Sequence, residues 1–273
     1  MISICTVILN RLEDFAKIFY QSIVESTSKV SEVVIVNVEM DESINNCWEK
    51  SGIKFRLVGG KHNAFKIYDP PSFCAQHAYG MHQAIELATN DYLLLSDPDI
   101  FFYTQIDDFY LSLMQEYDLK LIGISKPDAL AQSIAYFPCI MNLLTKREYL
   151  PTKEFMPDFD LGLHSDDKNY QNKLPGKYLY HGTIERYKPL FPNPSGHLET
   201  GCNLLVWAKE QNYKWMSFQT PDCHVYYSKY YRSNFKIKNL PNKKILYHAS
   251  LSAGPHNRIV PFTEAWENYK TGE

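Results

Sequence analysis

The sequence has no Cys-x-x-Cys pair and no His-Glu-x-x-His, so a zinc site of the usual spacing is not expected. It has no Gly-x-Gly-x-x-Gly, which removes the case for a dinucleotide-binding fold. No stretch approaches the roughly 18 apolar residues needed to span a bilayer. Met1 leads straight into a strand-like run, with no basic opening and no small-residue cleavage site. A cytoplasmic protein without a transmembrane segment is the expectation. The six cysteines are scattered along the chain and read as reduced, mostly buried thiols. A net charge of -3 gives no reason to expect nucleic acid as a partner.

What is present centres on one stretch, Asp91-Tyr92-Leu93-Leu94-Leu95-Ser96-Asp97-Pro98-Asp99. The unbroken run from Tyr92 to Leu95 reads as a strand buried on both faces of a mostly parallel sheet. Pro98 has no amide proton and cannot continue a central strand, so the strand stops before it. Asp97 and Asp99 then sit on the loop at the strand's carboxyl end, the edge where open α/β sheets bind ligands. Two acids held there can take a hard divalent cation through oxygen ligands. An isolated Asp-x-Asp is common in solvated turns. Its place after a buried strand and a well-formed helix is what gives this one weight.

The segment from Ala84 to Asp99 resembles the helix, strand and Asp-x-Asp of nucleotide-sugar glycosyltransferases with the A-type fold, and among them the inverting family 2 group. That family often has Asn where this chain has His82. The resemblance implies a single-domain α/β fold, with a mostly parallel central sheet flanked by helices and an irregular acceptor-facing C-terminal part. It also implies Mn2+ or Mg2+ as cofactor, a nucleotide-sugar donor, and a glycan or other hydroxyl acceptor.

The first 125 residues read as the donor-binding half. Ile2 to Leu9 is a β-branched strand, and Leu12, Phe15, Phe19 and Ile23 recur at helical spacing. Val33 to Val36 is a second buried strand, so a right-handed crossover and a parallel pair are expected. In the resembled family the ends of these two strands hold base and ribose. By position Leu9 and Asn10 match the first contact, and Glu39 or Asp41 the second; a solvated acidic loop is the alternative for the two acids. Phe55 to Val58 is a third strand, followed by a Gly pair and then Lys61, His62 and Asn63, within reach of a phosphate or sugar. A helix over 73–89 carries His77 and His82. They are five apart, do not share a face as i,i+4 ligands would, and read as structural histidines. His82 also stands where the family's helix faces the nucleotide. Thr104 with Asp107 reads as an N-cap followed by an acid, opening a helix striped by Ile106, Phe109, Tyr110 and Leu113. Leu119 to Ile124 is a further strand.

From 126 to 273 the character changes. Pro, Asn, Tyr and His become frequent, and this part reads as the acceptor-binding half of the same domain. Glu199 precedes a helix over about 200–211 and is similar to the acid at a helix start that serves these transferases as general base. A plain N-terminal acid favoured by the helix dipole is the competing account. Asp158 and Asp160, in a loop-like segment, are the rival bases. Val225 to Arg232 is aromatic and basic, a solvated face beside an anionic substrate. Ile245-Leu246-Tyr247-His248 is a short strand ending in a histidine like the late His of many A-fold transferases, so Asp97, Asp99 and His248 form the expected metal set; His224 and His256 are the competing histidines, and a core histidine that only hydrogen-bonds is the alternative for His248. Two other readings stay open: a sugar-phosphate nucleotidyltransferase, which normally carries a Gly-rich loop after the first strand where this chain has Asn10-Arg11-Leu12-Glu13, and a non-catalytic carbohydrate-binding protein.

Overall fold

The computed structural model describes residues 1–8, 13–38, 46–50, 52–59, 73–125, 137–150, 202–221, 224–249 and 259–272. Strand β1 (Ile2–Ile8) is buried along its whole length and lies between β2 (Val30–Asn37) and β5 (Tyr92–Ser96), parallel to both. The continuous apolar runs are what such a position requires, since water reaches neither face. Along β1 the residues alternate between two cores: Cys5 and Val7 enter one, Ile2, Ile4 and Ile8 the other. Helices α1 (Glu13–Ser26) and α3 (Ile106–Tyr117) cover the second of these through Phe19, Ile23, Ile106 and Tyr110. The first is covered by α2 (Phe73–Leu87) with Met81 and Ile85, α4 (Cys202–Glu210) with Leu204, and α5 (Ile259–Thr271) with Phe262 and Trp266.

The remaining strands are β3 (Asn46–Lys50), β4 (Ile53–Gly59), β6 (Ile100–Phe102), β7 (Leu121–Ile124), β8 (Asn142–Lys146), β9 (Trp215–Gln219), β10 (Val225–Ser233) and β11 (Lys244–His248). One sheet holds them in the order β3-β4-β2-β1-β5-β8-β7-β9-β10-β11-β6. The expected α/β architecture of a single helix-flanked sheet is present. Parallel pairing runs through β4, β2, β1 and β5 and returns at β7/β9. Elsewhere the ladders are antiparallel: β3/β4, β5/β8, β7/β8, β9/β10, β10/β11 and β6/β11. "Mostly parallel" therefore describes the β-α-β region, and the sheet as a whole is mixed. Strand β8, from beyond residue 125, pairs with both β5 and β7, so strands from the two expected halves interleave.

Two close approaches fix the layers. A Cβ on Gly80 would meet Cγ1 of Val7 and Cγ1 of Val38 at 2.8 Å, so α2 lies nearer to β1 and β2 than any larger residue allows. A Cβ on Gly123 would lie 2.1 Å from the Asn142 carbonyl oxygen, which makes glycine obligatory where β7 meets β8. The start of α3 differs from the expected cap. Gln105 is the N-cap residue and makes no side-chain cap bond. Asp107 instead reaches across to the end of α1, where its Oδ2 accepts from the Ser28 amide at 2.7 Å. Cys5 and Cys139 are buried, and burial pushes the Cys5 thiol well above its ordinary value, as an inert core thiol requires.

Candidate functional site

Strand β5 delivers the Asp-x-Asp. Leu93, Leu94 and Leu95 are almost wholly buried, and the register with β8 persists to Ser96↔Asn142. The Asp97 amide then donates to the Met141 carbonyl at 2.8 Å, which fixes the backbone of the first acid just past the strand end. Below it lies a buried polar chain. Tyr110 Oη donates to Asn142 Oδ1 at 2.9 Å, Asn142 Nδ2 to Ser96 Oγ at 3.3 Å, and Ser96 Oγ to the Asp97 carbonyl at 3.3 Å. Burial holds the Tyr110 phenol protonated, so it stays a donor.

After Pro98 the chain extends again as β6, which pairs antiparallel with β11 in the register Ile100↔His248, Phe101↔Tyr247 and Phe102↔Leu246. The Ala249 amide donates to the Asp99 carbonyl at 2.9 Å and continues that ladder. This pairing brings the late histidine to the second acid. His248 Nε2 is 3.4 Å from Asp99 Oδ2, and both side chains are almost buried, 4% and 3% exposed. His248 is held from the other side as well. Its amide donates to the His224 carbonyl at 3.0 Å, while His224 Nδ1 lies 3.1 Å from the His248 carbonyl and the His224 ring stacks on Tyr247. Behind β6 and β11 an aromatic cluster locks the pair in place. Phe101 stacks on Tyr247 with centroids 5.2 Å apart, and meets Trp266 at 5.3 Å and Phe262 at 5.6 Å from α5.

One ligand atom from each of Asp97, Asp99 and His248 lies within 4.8 Å of the other two. That spread is about twice an ordinary metal–ligand bond of roughly 2.0–2.3 Å, so one ion can touch all three. Two carboxylates with one imidazole also suit a hard-to-borderline divalent cation such as Mn2+. The donor set thus fits the implied cofactor.

His82 is on α2 with its Nε2 3.5 Å from Glu86 Oε1, one turn along the same helix. His77 Nε2 stands 3.0 Å from Asp97 Oδ1. The five-residue spacing from His82 points only to a structural role for His77; the reach from α2 to the Asp97 loop depends on how the helix packs on the sheet. Glu199, Asp158, Asp160, Leu9, Asn10, Glu39, Asp41 and Asn63 lie outside the described residues. The aromatic-basic run forms β10, with Lys229, Tyr230 and Arg232 exposed. No described helix is long and apolar enough to cross a membrane.

No protein-family model and no curated protein matches the chain. Among solved structures it is similar to S. aureus TarS 1–349, at 12% identity over 45% of this chain and 35% of that one, with a TM-score of 0.32. A mannosyltransferase from Pyrobaculum calidifontis, solved with GDP-Man and Mn2+, matches at 12% identity over 55% of this chain and 45% of its own, with a TM-score of 0.37. Mouse xyloside xylosyltransferase 1 matches at 9% identity over 78% and 83% of the two chains, with a TM-score of 0.45. The chain spans about a third of TarS 1–349 and under half of the mannosyltransferase. Each similarity is one of chain path.

Proposed function

We propose that this protein is a metal-dependent glycosyltransferase that moves a sugar from a nucleotide-diphosphate donor, a UDP-sugar, to a hydroxyl of a glycan or other acceptor, with inversion. The observation that carries the reading is the convergence of Asp97, Asp99 and His248 at the carboxyl end of β5, from stretches far apart in the chain. Asp99 and His248, both nearly buried, hold the cation. Asp97, 20% exposed, completes the set of ligands and borders the ribose or a water on the ion. When bound, Mn2+ or Mg2+ supplies Lewis-acid neutralisation of the leaving diphosphate. The resemblance assigns base and ribose to Leu9, Asn10 and Glu39 or Asp41, and further donor contacts to Asn63 and His82. Glu199, with Asp158 and Asp160 as rivals, takes the proton from the acceptor hydroxyl, which then attacks from the face opposite the leaving group. Residues 1–125 supply most of the donor site and 126–273 the acceptor side, with His248 reaching back between them.

The test is a melting-temperature screen of UDP-, GDP-, ADP- and TDP-sugars with and without Mn2+. Binding stabilises by RT ln(1 + [L]/Kd), about 2.7 kcal/mol at a hundredfold excess over Kd. A UDP-sugar should raise the melting temperature only when Mn2+ is present. If no nucleotide sugar shifts it with Mn2+ present, the reading is wrong.

A further inference from the structure

The Asp97 carboxylate has a difficult position. It follows a strand end, precedes Pro98, and shares a cluster with a second carboxylate. Two like charges that close repel, and each favours an orientation away from the other. Asp97 is also the most exposed of the three, at 20% against 3% for Asp99 and 4% for His248. Yet to bind the same ion as Asp99 it must turn inward.

His77 supplies what the loop lacks. Its Nε2 is 3.0 Å from Asp97 Oδ1, an ion-pair distance without the alignment of a hydrogen bond, and its ring is 19% exposed. Its place comes from α2 and owes nothing to the Asp97 loop. Three residues on, Gly80 sits against Val7 and Val38; one residue further, Met81 is 1% exposed in the core under β1 and β5. A helix pinned this closely to the sheet holds His77 at a fixed point beside the strand ends.

We propose that His77 is a positioning residue for Asp97: it holds Oδ1 and so presents the other carboxylate oxygen to the cation. The inference rests on the metal reading above and adds a group to it that acts through a ligand. Carboxylates that ligate metals are themselves held by outer partners, and losing such a partner typically costs about 10–100-fold in metal affinity.

The experiment is a Mn2+ titration of the full chain, followed by the electron paramagnetic resonance signal of free Mn2+, for wild type, His77→Ala and His77→Gln. The melting temperature of each is measured in chelator. His77→Ala should weaken Mn2+ binding about 10–100-fold. His77→Gln places an amide N–H at a similar reach and should restore most of it, although neither variant carries an imidazole. The nitrogen coupling to bound Mn2+, which comes from His248, should survive in His77→Ala. Wild-type affinity in His77→Ala overturns the inference while leaving the metal site standing. So does loss of the nitrogen coupling, which would make His77 a ligand. Equal weakening in Ala and Gln variants, matched by equal losses of melting temperature, reduces His77 to packing and overturns it too. A wild-type chain that binds neither Mn2+ nor Mg2+ overturns the metal reading itself, and the inference with it.

Discussion

Two buried carboxylates lie at opposite ends of the parallel strands, and they are treated differently. Glu32, near the start of β2, is 5% exposed and fully engaged. Ser3 Oγ donates to its Oε2 at 2.6 Å, and Thr89 donates there through its amide at 2.9 Å and its hydroxyl at 3.1 Å. Arg56 supplies a permanent positive charge at 3.2 Å from Oε1. Asp99, after the end of β5, is nearly buried and faces His248, with Asp97 in the same cluster. The first acid is neutralised by a guanidinium, whose charge does not depend on pH in the ordinary range. The second stands among a further acid and imidazoles, a set whose positive charge an external cation can complete. Burial alone does not separate the two acids; the kind of charge set opposite each one does.

Substitution at either acid should give opposite results for function and stability. Asp99→Asn should have the largest effect on function. It keeps shape and removes a charged oxygen ligand, so Mn2+-dependent donor binding should disappear in calorimetry. The metal-free melting temperature should hold or rise, because a like-charge contact with Asp97 is relieved. Unchanged Mn2+ dependence and turnover in this variant would remove Asp99 from the site. Glu32→Ala should do the reverse. It strands Arg56 beside the core and leaves Ser3 and Thr89 without their acceptor, a loss of about 3–5 kcal/mol by the usual cost of breaking a buried pair. Urea unfolding reads that loss. Mn2+ affinity per folded molecule should not change, and a matching fall in affinity would mean that the two ends of the sheet are coupled.

The smallest effect sharpens the contrast with a third acid. Asp108 is exposed and pairs with Lys29. Hydrogen bonds from Lys29 and then Ser28 hold its carboxyl below the usual carboxylate value. A lowered folded value stabilises above the unfolded value near pH 3.9, and that gain is lost as pH falls through the folded one. Solvent screens the pair, so Asp108→Asn should lower the melting temperature only slightly at pH 7 and low salt, and by nothing measurable in 1 M salt. A large or salt-independent fall would show that the pair is stronger than its exposure implies.

Legibility follows the range of the interactions involved. Strands β1, β2, β4, β5 and β7 and helices α1, α2 and α3 are written in local patterns: apolar runs, or apolar residues at helical spacing. Strand β6 is not, because Ile100-Phe101-Phe102 follows a proline and is short; it is a strand by virtue of pairing with β11. Strands β8 and β9 are five residues each and owe their extended form to neighbours already in the sheet. Helix α5 begins Ile259-Val260-Pro261, and a proline near a helix start discourages a helical reading although its missing amide proton is no loss in the first turn. Thr104 and Asp107 have the pattern of a cap, yet the contact between α3 and the end of α1 draws Asp107 elsewhere.

What the sequence determined by itself is the place of Asp97 and Asp99, since a buried run ended by Pro98 puts both acids at a strand's carboxyl end wherever that strand lies. The tertiary structure decided their company. The β6/β11 register brings His248 to Asp99, and the close seat of Gly80 on Val7 and Val38 sets His77 against Asp97. A strand end is specified by a few adjacent residues. A meeting between residues far apart in the chain depends on ladder register and helix packing, which no local pattern contains.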